Sequence, residues 1–338
     1  MKNQFESKNL PKRIGITVGD AAGIGPEITL KALLDNSINK VCLPIVIGDA
    51  VFLKSLASQL DLPIDFEIIK QDEEIPVNSN KCICYDLANL NEEITVGEES
   101  GVTGKASAEN IEIAVKLCLE NKIDAIATAP ISKKALSMAG YKFPGHTEML
   151  AHLTDTKDFA MSFFAGDLRV VLLSTHVSLL DAISLVKTEK LIQLIRFTNQ
   201  ELAKLLKREV KIAVAGLNPH ASEGGMFGDE EASEIIPAIE ECRKKFGIEV
   251  SGPYSPDTIF LRGFKGEFDA VVSCYHDQAT IAVKCLSFGE SVNVTLGLPI
   301  IRTSVDHGTA FDIAGKNIAD CSSMKTAIKL AAKLAENR

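Results

Sequence analysis

The most constraining feature of the sequence is an alternation of short apolar runs with longer segments of helical periodicity. Several runs are continuously apolar, as strands covered on both faces are, and the alternation is typical of an α/β protein with a largely parallel sheet. The runs predict strands at Arg13–Val18, Val41–Ile47, Lys81–Tyr85, Ile123–Ala127, Ala160–Phe164, Val170–Ser174, Lys211–Ala215, Ala270–Cys274 and Val292–Leu296. The periodic segments predict helices at Pro26–Leu34, Ala106–Glu120, Glu189–Leu206, Asp229–Lys245 and Ser323–Glu336.

The chain is long enough for one large core or for two lobes that meet at a cleft, since 46% of its 338 residues are hydrophobic. No Pro/Gly/Ser-rich linker divides it, so we expect a single catalytic unit over residues 13–338 with two interwoven lobes. Their boundaries are expected near residues 125–130 and 300–310. The polar segment Met1–Lys12 lacks the apolar centre of a signal peptide and is expected to be a disordered leader.

The formal net charge of −9 disfavours nucleic acid as the main partner, because phosphate-backbone binding usually requires a basic face. No uncharged apolar stretch approaches the length of a membrane-spanning helix, so no membrane association is expected. Most of the eight Cys lie inside apolar runs without the paired spacing of a zinc site. Buried reduced thiols and a cytoplasmic location are therefore predicted.

Two glycine-containing segments could be taken for nucleotide-binding loops. Gly19–Glu27 follows the first strand but has Ile28 where a dinucleotide-binding fingerprint needs its third glycine. It is either a tight strand-to-helix turn or a loop whose backbone faces a ligand. Gly101–Ser107 has the wrong spacing for a phosphate-binding P-loop, and we reject that interpretation.

Three of the six His residues directly follow predicted strands: His176, His220 and His276. In open α/β sheets, ligands bind beyond the carboxyl ends of the strands. Three imidazoles from three such loops could hold a catalytic metal ion and leave positions open for substrate or water. Each His taken singly could instead be an ordinary hydrogen-bonded residue. His152 is assigned no role, and His307 could be structural or could line a cofactor pocket.

A second group of polar residues suits the recognition of an anion. His146 and Thr147 stand at a probable helix start, where backbone N–H groups could hold a phosphate or a carboxylate. Alternatively, Thr147 caps the helix and His146 is a bystander. Lys284, Asn293 and Arg302 lie in or beside apolar runs and need partners there, either a bound anion or internal acidic residues.

Taken together and in order, these motifs resemble the 4-hydroxythreonine-4-phosphate dehydrogenase family from about Arg13 to Lys316. The matching segments are Gly19–Glu27, Thr128–Lys133, Gly145–Glu148, Ser174–His176, Gly216–Ala221, Tyr275–Gln278 and Gly297–Thr309. The resemblance implies a two-lobed α/β/α fold like that of isocitrate and isopropylmalate dehydrogenases, which is not a standard Rossmann fold. It also implies a homodimer whose two subunits share each active site.

The same resemblance assigns roles to individual residues. The family's metal ligands fall on His176, His220 and His276, and its substrate-binding residues fall on His146, Thr147, Lys284, Asn293 and Arg302. The cofactors implied are NAD or NADP and one divalent ion per site, which could be zinc, magnesium or cobalt. No residues are assigned to the nicotinamide cofactor.

The implied reaction is oxidation of the C3 hydroxyl of 4-phosphooxy-L-threonine, followed by decarboxylation, in the biosynthesis of pyridoxal 5'-phosphate. Three residues are candidates for the group that accepts the hydroxyl proton: Asp257, Asp277 and Lys284. Two departures from the family pattern, Ala21 and Ala279–Val283, bear on substrate selectivity. A dehydrogenase for 4-phospho-D-threonate or 4-phospho-D-erythronate is therefore one alternative, and a three-His metallohydrolase is another of a different class.

We also expect the partner chain to supply His276. A predicted helix and strand separate it from His220, so one lobe need not provide all three ligands.

Overall fold

The structure is a computed structural model that describes residues 10–79, 81–287 and 290–337. The strands are β1 (Arg13–Thr17), β2 (Leu43–Gly48), β3 (Phe66–Lys70), β4 (Cys82–Asp86), β5 (Ala125–Thr128), β6 (Ala160–Ala165), β7 (Leu168–Leu172), β8 (Ile212–Ala215), β9 (Val250–Tyr254), β10 (Ala270–Ser273), β11 (Val292–Leu296) and β12 (Arg302–Ser304). The α-helices are α1 (Gly25–Leu33), α2 (Asn36–Asn39), α3 (Ala50–Gln59), α4 (Gly101–Leu119), α5 (Lys133–Met138), α6 (His146–Leu153), α7 (Leu179–Leu185), α8 (Thr188–Leu206), α9 (Ile236–Phe246), α10 (Pro256–Phe264), α11 (His276–Ser287) and α12 (Ser322–Glu336). The predicted α/β class is confirmed.

The chain forms two compact units, and it passes between them more than once. The first unit contains the described residues up to Leu153, together with Ile300–Arg302 and His307–Glu336. The second contains Thr154–Pro299, Thr303–Asp306 and the chain end from Asn337. The first change of unit comes later than residues 125–130 because α5 and α6 both pack on α4 of the first unit.

In the first unit, five strands lie parallel in the order β3-β4-β2-β1-β5. Every residue of β2 and β5 is buried, which agrees with the continuous apolar runs that predicted these strands. Strand β3 was not predicted, since Glu67, Ile68 and Lys70 give it an exposed, partly charged pattern at the edge of the sheet. The predicted leader Met1–Lys12 falls mostly outside the described residues.

In the second unit the strand order is β11-β6-β7-β10-β8-β9, and Thr303 and Ser304 of β12 pair with β11. The strands from β7 to β9 run parallel, whereas β6 is antiparallel to both β7 and β11. The core of this unit joins the sheet to α10 and α11, which contribute Ile259, Phe260, Ala279 and Val283. Because Ala279 and Val283 are one helical turn apart, they fix which face of α11 is turned toward the sheet.

Within the described ranges, no helix has the length and apolar character needed to span a bilayer.

The thiols of Cys42, Cys84 and Cys274 are buried, and burial raises the pKa of each to about 12. These Cys therefore stay protonated and pack as small apolar residues, as the sequence predicted. Cys285 differs in that its side chain is exposed.

Candidate metal and anion sites

Three neighbouring parallel strands of the second unit each lead into a loop that carries a His. The strands are β7, β10 and β8, in that spatial order. His176 follows β7, His276 follows β10 and His220 follows β8. Because the three strands run in the same direction, their carboxyl ends meet at one edge of the sheet. The sheet thus brings the three predicted metal ligands to the same edge.

The rings of His176 and His276 lie close together. Their centroids lie 5.7 Å apart and their planes are inclined by 43°. Two imidazoles that share one tetrahedral zinc ion have centroids roughly 5 Å apart, given a Zn–N distance of about 2.0–2.1 Å. Both His belong to the same chain, so the pair does not require a partner chain. This pair is an alternative to the expectation that the partner chain supplies His276, which stays a prediction.

Asp277 holds the ring of His276 in a defined orientation. Its Oδ1 lies 2.7 Å from Nδ1 of His276. An ionised carboxylate in this position favours the tautomer in which Nδ1 carries the proton, which leaves the lone pair of Nε2 available to a metal ion. Asp277, predicted as a candidate proton acceptor, is thus already engaged in orienting an imidazole.

His220 lies in a strained segment. A short 3₁₀ helix spans Pro219–Gly225, and within it His220, Ala221, Ser222 and Glu223 all have positive φ angles between 44° and 67°. For residues with a side chain this left-handed conformation costs roughly 1–2 kcal/mol each. Strain of this kind persists only where surrounding contacts enforce it, and it is concentrated at functional sites.

One such contact is made by the buried carboxylate of Glu231, in a short π-helical turn (Glu231–Ile235) that leads into α9. Its Oε1 accepts hydrogen bonds from the backbone N–H groups of Leu217 and Asn218, at 2.8 and 2.7 Å. Its Oε2 accepts a third from Nδ2 of Asn218, at 2.9 Å. Glu231 therefore fixes the backbone immediately before His220.

Side chains also connect the bases of the three loops. The amide of Gln278 accepts a hydrogen bond from the N–H of Cys274 and donates one to the carbonyl of Gly216, both at 2.8 Å. On the other side, Oγ of Ser174 donates to the carbonyl of Cys274 at 3.0 Å. Each contact joins the loop after β10 to one of its two neighbours.

The side chains at this edge are of the type that binds a divalent ion, but they do not form a complete set of metal ligands. In the part of the chain that the structure describes, no group of three or more His, Cys, Asp or Glu side chains is close enough to hold a metal. The site consists of a pair, His176 and His276, with His220 on the adjacent loop. Three imidazoles match the ligands of catalytic zinc and related ions, so the residues present fit a divalent metal, which His176, His276 and His220 would hold.

Three other predicted residues lie in the second unit: Lys284, Asn293 and Asp257. Lys284 is exposed on α11, about 12 Å along the helix axis from His276. Asn293 is half-buried on β11. Asp257 is exposed in the first turn of α10, where its Oδ1 accepts a hydrogen bond from Oγ of Ser255 at 2.6 Å.

Three of the predicted anion-binding residues, His146, Thr147 and Arg302, belong to the first unit. Arg302 is only 3% exposed, and its Nε and Nη2 donate to Oγ1 of Thr128 at 3.2 and 2.9 Å. Burial lowers the pKa of Arg302 to about 9, an effect that the negative charge of Glu148 opposes. The guanidinium is nevertheless charged at neutral pH, and a bound anion would stabilise it.

His146 belongs to the same group as Arg302. Burial lowers the pKa of His146 well below its ordinary value, and the positive charge of Arg302 lowers it further. Although part of the residue is exposed, Nε2 is buried and has no hydrogen-bond partner among the described residues. Thr147 is buried in the first turn of α6, which begins at His146, so it is not the cap of that helix.

The two glycine segments are structural. A Cβ at Gly19 would lie 2.2 Å from the carbonyl oxygen of Pro130, and one at Gly25 would lie 2.2 Å from that of Val18. These glycines allow backbones to pack closely inside the first unit, which favours the tight-turn interpretation. Residues 101–107 form the beginning of α4, in agreement with the rejection of a P-loop.

Three residues that position the His loops were not identified from the sequence. Gln278 and Ser174 stand inside motifs that the sequence analysis used, but nothing local indicates which loop each one contacts. Glu231 stands in an acidic run, where exposure would be the ordinary expectation.

The chain is similar to known proteins over nearly its whole length. Residues 40–331 match the family described as pyridoxal phosphate biosynthetic protein PdxA. A D-threonate 4-phosphate dehydrogenase from Cupriavidus necator is 46% identical over 326 residues, which cover 96% of this chain and 98% of that protein.

Two solved structures are similar over nearly the whole chain. A 4-hydroxythreonine-4-phosphate dehydrogenase from Klebsiella pneumoniae has a TM-score of 0.87 at 41% identity, covering 96% of this chain and 99% of that one. Another from Burkholderia phymatum has a TM-score of 0.84 at 43% identity, with 96% and 98% covered. The chain therefore belongs to the PdxA family.

Proposed function

We propose that this protein is a dehydrogenase that depends on a divalent metal ion and on NAD or NADP, and that it oxidises a phosphorylated four-carbon hydroxy acid. The observation that carries the proposal is the placement of His176, His276 and His220 beyond three neighbouring parallel strands. The buried Arg302 beside His146 adds a group suited to an anion.

D-threonate 4-phosphate is the substrate that we favour, because the relative from Cupriavidus necator bears that name at 46% identity. The sequence analysis favoured 4-phosphooxy-L-threonine, after which the Klebsiella pneumoniae protein is named. The two compounds share the phosphate, the C3 hydroxyl and the carboxylate, and they differ at C2, which carries a hydroxyl in one and an ammonium in the other. D-erythronate 4-phosphate differs from D-threonate 4-phosphate only in stereochemistry.

A divalent ion, when bound, supplies a Lewis acid that lowers the pKa of a coordinated hydroxyl, and a nicotinamide accepts a hydride. The C–H bond at C3 of the substrate breaks with transfer of its hydrogen and both electrons to the cofactor. The hydroxyl proton leaves to a basic group, and the product is a 3-keto acid. Loss of CO2 from that acid follows readily because the carboxylate is β to the new carbonyl.

The protein's residues divide this work among binding, orientation and proton transfer. His176, His276 and His220 would hold the ion, with Asp277 fixing the ring of His276. Arg302, His146, Thr147 and Asn293 would bind the anionic ends of the substrate. Lys284 would contact the anionic substrate as a cation. Of the other two candidate proton acceptors, Asp277 is engaged with His276 and Asp257 with Ser255.

We further propose that the protein acts as a homodimer. Large apolar side chains near all three His loops are exposed: Leu180 at 78%, Met226 at 73% and Ile281 at 64%. Apolar surface around a functional site is typical of a covered interface. A second copy of the chain would cover these residues and close the site from water, while both ligands of the His176–His276 pair would come from one chain.

A metallohydrolase is the second candidate, because three imidazoles and a metal-bound water would also hydrolyse an ester.

The deciding experiment follows formation of reduced nicotinamide with D-threonate 4-phosphate, D-erythronate 4-phosphate and 4-phosphooxy-L-threonine, each beside its unphosphorylated form. The assay is repeated after chelation and after return of zinc, magnesium or cobalt.

The proposal would be supported if the nicotinamide is reduced, if chelation abolishes this reduction and if added metal restores it. The compound that is oxidised most efficiently would identify the substrate. Full activity of protein shown by elemental analysis to be metal-free would contradict the metal requirement. Phosphate release without any nicotinamide would favour the hydrolase.

A further inference from the structure

The side chain of Gln278 extends the pairing of two strands beyond their ends. Strands β8 and β10 are paired up to Val214 and Val272. Past that point the N–H of Cys274 and the carbonyl of Gly216 are bridged by the Gln278 amide, which accepts from one and donates to the other. The amide thus takes the place of a peptide group between the loops that carry His276 and His220.

The backbone of Cys274 is held on both sides. Its N–H is bonded to Gln278, and its carbonyl accepts from Oγ of Ser174, two residues before His176. Cys274 itself is 1% exposed and stands two residues before His276. One continuous set of hydrogen bonds therefore runs from the His176 loop through the His276 loop to the His220 loop.

We infer that Gln278, assisted by Ser174, is a positioning residue that sets the spacing of the three His loops for metal binding. The inference rests on the proposed function, because it requires that these His bind a metal. Gln278 is also the only residue of this set that joins the His220 loop to the His pair, and His220 is the ligand that must approach to complete the site.

The chemistry of the two bonds explains why glutamine is required. The backbone N–H of Cys274 is a hydrogen-bond donor, and the backbone carbonyl of Gly216 is an acceptor. The side chain that bridges them therefore needs both an acceptor and a donor at its end. Glutamate would keep the bond to the Cys274 N–H but would place a carboxylate oxygen against the Gly216 carbonyl. Methionine has a similar length and would make neither bond.

Loss of the bridge should act on metal affinity more than on folding. Residues that orient metal ligands from outside typically contribute about ten- to a hundredfold in affinity. Ala279 and Val283, which hold α11 against the core, are unchanged in a Gln278 variant. We therefore expect the helix to stay in place while the His220 loop gains freedom.

The test compares wild-type protein with Gln278→Met, Gln278→Glu and Ser174→Ala. Gln200→Met is the matched control, because Gln200 is exposed on α8. Each protein is stripped of metal, its melting temperature is measured, and its Kd for zinc is determined by competition with a chromophoric chelator. Neither readout depends on turnover.

We expect both Gln278 variants to raise the zinc Kd about ten- to a hundredfold, with a smaller rise for Ser174→Ala and no change for Gln200→Met. If Gln278→Met does not fold, Gln278→Glu and Ser174→Ala still decide the question. Unchanged zinc affinity in the folded variants, with only a lower melting temperature in the metal-free state, would overturn the inference and leave the metal site standing. A wild-type protein that binds no zinc, magnesium or cobalt would instead overturn the proposed metal site, and the inference with it.

Discussion

The imidazole rings of His176 and His276 lie 5.7 Å apart within a single chain. The distance suits two ligands of one ion, so we expect both to serve the same metal. A mixture of His176→Ala and His276→Ala proteins, dissociated and reassembled, should stay inactive because every site lacks one ligand. The measurement is dehydrogenase activity after subunit exchange has been verified with labelled chains.

Recovery toward about a quarter of wild-type activity would mean that the two His reach a site from different chains, because random pairing leaves one intact site in half of the dimers. A mixture of His276→Ala with His152→Ala is the control for reassembly.

The substitution Gly216→Ala should disturb the His220 loop. A Cβ at this position would lie 2.9 Å from Cα of Ala221 and 3.1 Å from Oε1 of Glu231. The backbone of Ala221 cannot move aside as easily as a flexible side chain, so the added Cβ should displace the His220 loop. We therefore expect the zinc Kd to rise roughly tenfold, as it does when other residues that orient metal ligands are changed. Isothermal titration with zinc measures the change, and Gly308→Ala, where a Cβ meets open space, is the control. Equal affinities in the two variants would contradict this account of the loop.

The stability of the protein should fall on mild acidification because of His146. Burial depresses the pKa of this His below the 6.5 of an unfolded chain, so the unfolded state binds more protons as pH drops below about that value. The unfolding free energy should therefore decrease by about 1 kcal/mol between pH 7.5 and pH 5.5 through this residue alone.

Urea unfolding at the two pH values measures the effect. His146→Gln should remove that part of the pH dependence, whereas His152→Gln, at an exposed position of the same helix, should not. Parallel pH profiles for wild type and His146→Gln would show that His146 is not held neutral.

Removal of the cationic groups should damage the use of phosphorylated substrate. We expect Lys284→Ala and Arg302→Ala to lose about 1.5–3 kcal/mol in kcat/KM, equal to about ten- to a hundredfold, because each loses a charge-assisted contact. Arg302→Lys keeps the charge but cannot bond Thr128 through two nitrogens, so an intermediate loss is expected. Arg243→Ala, on α9, is the control for a distant charge. Wild-type kinetics in both alanine variants would make these residues structural.

The sequence predicted the strands with continuous apolar runs better than the short or partly polar ones. Nine strands were predicted from apolar runs, and each one is found with small shifts of its ends. The three that were missed lack such runs: β3 carries exposed charges, β9 contains Gly252 and Pro253, and β12 is three residues long and begins with Arg302. Short or irregular strands depend on their neighbours, which a local pattern does not contain.

The candidate site was predicted as a set of residues but not as an arrangement. That His176, His220 and His276 end strands could be read from the sequence, whereas the order β7-β10-β8 could not, because strand order depends on packing between distant segments. This order brings His276 beside His176 within one chain, a proximity that the spacing of the two residues in the sequence did not indicate. The contacts of Gln278 and Glu231 depend on the same order.

The position of β10 also affects when the site can be assembled. It lies between β7 and β8, yet it follows both in the chain. During synthesis, the strands that carry His176 and His220, β7 and β8, leave the ribosome before β10. Because β7 and β8 do not pair with each other, no backbone hydrogen bonds connect the two His segments until β10 is inserted between them. A metal ion that met the nascent chain earlier would therefore find single imidazoles rather than a chelating pair. Tight binding of the proposed metal ion would thus come late, after most of the second unit has been made.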